Sequence, residues 1–146
     1  MTHASARKLV KLTALLIIAL PGIPLALAAV PTLAGPANLF FGLALLGGET
    51  AITEPAGRLV VAILGGVVAG WGTLVWLVAD RLYARDPALA GSMLLISASV
   101  WFVIDSTASV IAGAPFNVVL NLLLAAVVFG PILLARRATQ VAATDH

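Results

Sequence analysis

Uncharged residues run without a break over 12–48, 59–79, 87–104 and 106–135, and the charged residues collect between and beyond these runs. An α-helix of about 20 apolar residues, rising about 1.5 Å per residue, is long enough to cross the roughly 30 Å hydrocarbon core of a bilayer. On that measure the pattern predicts spans at residues 9–30, 57–79, 90–112 and 116–135. Inside hydrocarbon each backbone amide needs a partner in its own segment or in a closed barrel, and these runs lack the alternation of barrel strands. The expected fold is therefore all-α, a polytopic four-helix membrane bundle with residues 1–146 forming one domain.

The breaks in the pattern add detail. Pro21 and Pro24 remove amide donors and are expected to kink or end the first span in its outer half. The longest connection covers residues 31–56, and within it residues 38–46 read NLFFGLALL. That stretch is too short to span and too apolar to lie free in water. It is expected either as a short interfacial or re-entrant helix or as an apolar plug over the mouth of the bundle. Gly113, Ala114 and Pro115 leave so short a link that the third and fourth helices must be antiparallel neighbours. A second account of the N-terminus is a cleavable signal peptide, with a basic start, an apolar stretch and Ala26-Leu27-Ala28 at the cleavage position. Three spans of unchanged orientation would then remain, although the apolar run is long for such a signal.

Composition agrees with a lipid environment, at 62% apolar and 10% charged residues, against roughly 45–50% and about a quarter in soluble domains. The charge pattern adds an orientation. Arg7, Lys8 and Lys11 stand at the start of the first span, Arg81 and Arg85 between the second and third, and Arg136 and Arg137 after the fourth, which puts seven of the eight basic residues on one side. Cytoplasmic flanks carry such an excess, so both termini are expected in the cytoplasm. Only Arg58 falls on the outer side, near Glu49 and Glu54. The basic residues form no continuous face for nucleic acid.

The chain has no cysteine, which excludes disulfides, thiolate metal sites, iron–sulfur clusters and cysteine nucleophiles. Its two histidines, His3 and His146, lie at the ends, so neither haem nor zinc can be held on imidazole inside the membrane. No metal site and no cofactor is expected, and no catalytic constellation is present. In the second span Gly65, Gly66, Ala69 and Gly70 repeat small residues at four-residue spacing, a pattern that lets another helix approach closely. The contact lies either inside the bundle or in a homo-oligomer. Trp71 and Trp76 fall toward the inner end of the same span, where indole rings favour the headgroup boundary.

One carboxylate stands inside a span. Asp105 loses much of its hydration there, at a penalty of about 2.5–3.5 kcal/mol on insertion scales, so it is expected to face protein and to find partners. Ser97, Trp101 and Ser109 recur at four-residue spacing with it, and Ser106 and Thr107 add hydroxyls beside it. Counting the helical rise places Asp105 about 6 Å outward of its span midpoint and Asn121 of the fourth span about 7 Å outward. Asn117 shares a helix face with Asn121. The expected site is a polar cluster of Asp105, Ser109, Asn117 and Asn121 opening toward the outer face, with Arg58 and Glu54 above it. Arg58 lies about 15 Å outward, so a direct pair with Asp105 would be strained. The cluster is either a site for a ligand or proton or a polar joint that fixes helix register.

The four short spans, the proline-ended first span, the long outer loop and the run WFVIDSTASVIAGAPFNVVLN resemble small bacterial membrane proteins of the DoxX-like or DUF4345-like kind, over most of the chain. The resemblance implies a bacterial inner membrane and a link to quinone-dependent oxidation of sulfur compounds, and maps no catalytic residue onto a numbered position. The size is also similar to that of small multidrug transporters, which place an essential acid in the first helix, where this chain has none. The expectation is a non-enzymatic accessory or scaffold module that binds a small or lipid-like ligand at Asp105. The alternative is a small proton-coupled carrier or a membrane subunit of a quinone-linked oxidoreductase. The expected partners are the lipid bilayer and either a second copy of the chain or another membrane protein.

Overall fold

The computed structural model describes residues 1–47 and 52–144, with side chains through Val141. Glu49, expected near Arg58, lies outside the described residues. Among the described residues the chain is helix and turn with no strand, and four helices are long and apolar enough to cross a membrane.

Helix α1 (His3–Ile17) begins at Thr2, whose Oγ1 accepts the amide N–H of Ser5 at 3.2 Å. That side chain satisfies one of the free donors of the first turn. The helix does not stop at the prolines. Residues Ile18–Gly22 widen into a π turn and α2 (Ile23–Leu27) continues from it, so the first crossing helix is unbroken over His3–Leu27. Pro21 lies inside the wider turn and Pro24 two residues beyond it, so both missing donors fall at the stretch where the helix hydrogen bonding is already rearranged. Next come a tight turn at Pro31–Leu33 and α3 (Gly35–Ala44). A short helix thus lies in this loop, starting three residues before Asn38 and ending at Ala44.

Helix α4 (Pro55–Leu77) runs on through a second π turn at Val78–Leu82. Asp86 caps α5 (Pro87–Ile111), its carboxylate accepting the Leu89 amide at 2.9 Å, with Pro87 in the first turn. The Ala112–Pro115 hairpin, with Gly113 at φ +78° in the left-handed region, leads into α6 (Phe116–Thr144). The helices outrun the uncharged stretches at several ends, because capping and backbone bonding continue past the point where apolar residues give way to charged ones.

The start of α1, the end of the α4 helix and the end of α6 meet through His3, whose Nδ1 lies 3.3 Å from the Tyr83 hydroxyl and whose Nε2 lies 3.0 Å from Thr139 Oγ1. This is the terminal end of the bundle; the other is the far end. At the terminal end one apolar cluster draws on all four crossing helices, with Val10 and Ala14 of α1, Val75 of α4, Leu94 of α5 and Ile132 of α6 buried together. Here α1 packs against both α4 and α6. On α6 the buried positions Asn121, Ala125, Val128, Ile132 and Ala135 recur by fours and threes, the spacing of a single helix face.

Toward the far end the packing divides. Helix α2 stays on α4, α5 stays on α6, and α3 bridges α2 and α6. The apolar cluster at this end, Leu25, Ala28, Ala34, Ala37 and Val61 with Phe40, Phe41 and Ile52 against it, contains no residue of α5 or α6.

The close approach of α4 to the first helix depends on glycine. A Cβ added at Gly65 would lie 2.1 Å from the backbone nitrogen of Ala26, and one at Gly72 would lie 3.1 Å from the Ala14 carbonyl oxygen. Ala69 completes the same face, 3.1 Å from the position a Cβ would take at Gly22. Gly66 and Gly70 point away from this contact, and an added Cβ at either meets nothing within 4 Å.

Candidate functional site

The hairpin between α5 and α6 brings Asp105 level with the two asparagines of α6. Asn121 Nδ2 donates to Asp105 Oδ2 at 2.6 Å and Asn117 Nδ2 donates to the same oxygen at 3.2 Å. Each amide also reaches a serine of α5: Asn117 the Ser109 hydroxyl at 2.9 Å, Asn121 the Ser106 hydroxyl at 3.1 Å. Ser109 in turn donates to the Asp105 backbone carbonyl at 2.7 Å. Asn121 is 5% exposed and both serines 9%, so the Asn121–Ser106 bond is buried, whereas Asp105 and Asn117 are half-buried. The structure thus joins Asp105, Ser109, Asn117 and Asn121, and adds Ser106.

Both amide donors converge on Oδ2, and Oδ1 accepts no hydrogen bond among the described residues. No fully buried side-chain polar atom lacks a partner there, so Oδ1 is open to its surroundings. A carboxylate oxygen can take two or more donors, and the open one retains its acceptor capacity.

Arg58 does not join the cluster. Its guanidinium donates to the backbone carbonyl of Thr53, five residues back in sequence, and the ion pairs among the described residues involve Asp80 alone as the acid. Glu54 precedes α4 without a side-chain capping bond. A local carbonyl at the helix start needs no reach into the bundle, whereas Asp105 would require the arginine to turn inward against its preference for the membrane surface.

Directly inward of Asp105 lies Trp101, whose ring centroid is 5.6 Å from that of Trp71 on α4. Trp71 Nε1 donates to Ser97 Oγ at 3.2 Å. Helices α4 and α5 make little backbone contact along their crossing segments, so this indole pair fills the space between them. The sequence placed Ser97 and Trp101 on the Asp105 face; that Trp71 would reach across was not legible, because spacing along α4 does not say which neighbouring helix its ring meets.

The terminal end holds polar groups that the sequence reading passed over. Asp80 accepts from Arg7 at 2.9 Å and from Lys11 at 2.7 Å, and the Lys11 ammonium sits 4.8 Å from the centre of the Trp76 ring. Arg136 Nη2 donates to the Ala88 carbonyl at 2.9 Å and to Ser92 Oγ at 2.8 Å. The signal available was that Asp80 follows directly on an uncharged run and meets the basic start of the first helix at the same end.

No group of three or more histidine, aspartate or glutamate side chains suited to a metal occurs among the described residues. Comparisons with protein-family models, with curated proteins and with solved structures found no match to the chain.

Proposed function

We propose that the chain is a non-enzymatic module of the bacterial inner membrane, with both termini in the cytoplasm, that binds a small or lipid-like ligand at the Asp105 cluster. Its partners are the bilayer and either a second copy of the chain or another membrane protein. The observation that supports this reading is the asymmetry of the carboxylate: one oxygen is held by two asparagine amides, and the other is free to accept a donor from outside the chain. An intramembrane acid oriented by neighbours and open on one side is the arrangement that binding or proton handling requires.

Two substitutions separate binding from register. Asp105→Asn keeps a carbonyl oxygen for both amide donors and removes the charge and the exchangeable proton; Asp105→Leu removes the joint as well. Native mass spectrometry of protein drawn from its own membrane is expected to find a bound small molecule or lipid on the wild type that folded Asp105→Asn lacks. A folded Asp105→Leu with the same bound masses as the wild type would remove the site.

The rival reading, a proton-coupled carrier or a membrane subunit of a quinone-linked oxidoreductase, rests on the same open oxygen. Proton flux in proteoliposomes that Asp105→Asn abolishes would put the carrier in place of the binding module. Cross-linking in membranes tests association: a dimer or a mixed product supports a protein partner, and a monomer-only pattern removes it.

A further inference from the structure

At the terminal end a cavity of about 590 Å³ opens between the start of α1, the start of α5 and the last turns of α6. Its wall includes Arg85, Arg136 and His3 with the hydroxyls of Ser92 and Thr139. Asp86 also lines it, with Oδ1 capping α5 at the Leu89 amide, and its single negative charge is outnumbered by the two arginines. The His3 ring nitrogens lie against Tyr83 and Thr139, so the histidine serves as wall.

The two arginines differ. Arg136 is anchored through Nη2 to Ala88 and Ser92, which leaves Nε and Nη1 without a partner among the described residues. Arg85 is exposed and its guanidinium has no partner there either. One anchored and one exposed guanidinium thus share a cavity whose single acid among the described residues is Asp86. Guanidinium N–H groups match phosphate oxygens in geometry and charge.

We infer that this cavity binds the phosphate headgroup of an anionic phospholipid. The place in the fold favours a lipid over a free anion. Arg7, Lys8, Arg81 and Arg137 surround the same end, a charge excess that draws anionic lipid to a membrane surface. Just inward of the cavity, Leu89 and Met93 of α5 and Leu133 of α6 are about half exposed and offer apolar surface for acyl chains. A cavity of this size is within the range of small-ligand sites, ample for a phosphate with its glycerol. The site lies at the opposite end from Asp105, and its test does not depend on the reading of that cluster.

The experiment is a lipid titration of the purified full-length chain in neutral detergent, read by native mass spectrometry, with phosphatidylglycerol, phosphatidylcholine and inorganic phosphate as separate probes. Phosphatidylglycerol is expected to bind in preference to phosphatidylcholine, and inorganic phosphate not to compete at equal concentration. Arg85→Gln, which breaks no side-chain hydrogen bond or ion pair among the described residues, is expected to weaken phosphatidylglycerol binding about fivefold, the effect of one basic residue at such a surface. Arg81→Gln makes the same charge change at the same end but outside the cavity, and is expected to weaken binding clearly less than Arg85→Gln does. Equal binding of the two lipids overturns the inference, as do equal losses in the two variants. Full competition by inorganic phosphate overturns the lipid assignment.

Discussion

At Asp105 the energetics rest on two amides of unequal burial. Interhelical hydrogen bonds in bilayers contribute about 0.6 kcal/mol on average and at most about 1.7 kcal/mol, because helices separated in lipid also find polar partners. Asn121 is buried and makes the 2.6 Å bond, whereas Asn117 is more exposed and makes the 3.2 Å bond. Asn121→Ala is therefore expected to destabilise the bundle by about 1–1.7 kcal/mol and Asn117→Ala by about 0.6 kcal/mol or less. Unfolding in mixed detergent micelles measures both, and equal losses would contradict the assignment of Asn121 as the principal partner. Tyr83, just beyond α4's membrane segment, offers a second test at this scale because it is the only tyrosine in the chain. Burial pushes its hydroxyl above the ordinary value of 10.0, against a smaller opposing influence of the Arg136 charge. A raised value in the fold means that Tyr83 contributes stability below pH about 10 that is lost as pH rises through its folded value. Absorbance near 295 nm is thus expected to titrate at higher pH in the folded chain than in the unfolded one; the same or a lower midpoint contradicts the burial. The asparagines and Ser109 were legible in the sequence because helical rise and a short hairpin together fix depth and neighbour. Arg58 was not, since a long side chain takes whatever acceptor lies nearest its own backbone.

Among the elements, α4 shows how far residue spacing carries. Adjacent positions 65 and 66 each begin a row of small residues, so the sequence announces a close helix contact without choosing its side. Only the packed partner selects Gly65, Ala69 and Gly72 over Gly66 and Gly70. A methyl group at Gly65 would overlap the α2 backbone, which cannot rotate away as a side chain can. Gly65→Ala is expected to destabilise by about 1–3 kcal/mol or more through forced separation of α2 and α4. Gly70→Ala, in open space on the helix surface, is expected to fall within about 0.5 kcal/mol of the wild type. Melting in detergent decides the matter, and a tolerated Gly65→Ala with a damaging Gly70→Ala would reverse the assigned face. The persistence of the first helix past Pro21 was less legible. A proline within a helical pattern signals a kink or an end, and whether one extra residue in the turn can absorb the lost bond depends on the packing around it.

For the whole molecule, the far end of the bundle is joined differently from the terminal end. Near the termini all four crossing helices share an apolar core, and beyond it the α2–α4 and α5–α6 pairs are linked through α3 and through aromatic side chains. The Asp105 cluster belongs to the second pair, which places an oriented carboxylate where the bundle is least uniformly packed. Charge distribution follows the same axis, with the ion pairs of Asp80 and the arginine-lined cavity at the terminal end. Both proposed sites require four crossings, with Ala138 in the cytoplasm and Thr53 outside. Because the chain has no cysteine, single replacements can be labelled without background. In intact cells a membrane-impermeant maleimide is expected to label Thr53→Cys at once and Ala138→Cys only after permeabilisation. Labelling of Ala138→Cys from outside intact cells, or of neither position before permeabilisation, would contradict the arrangement.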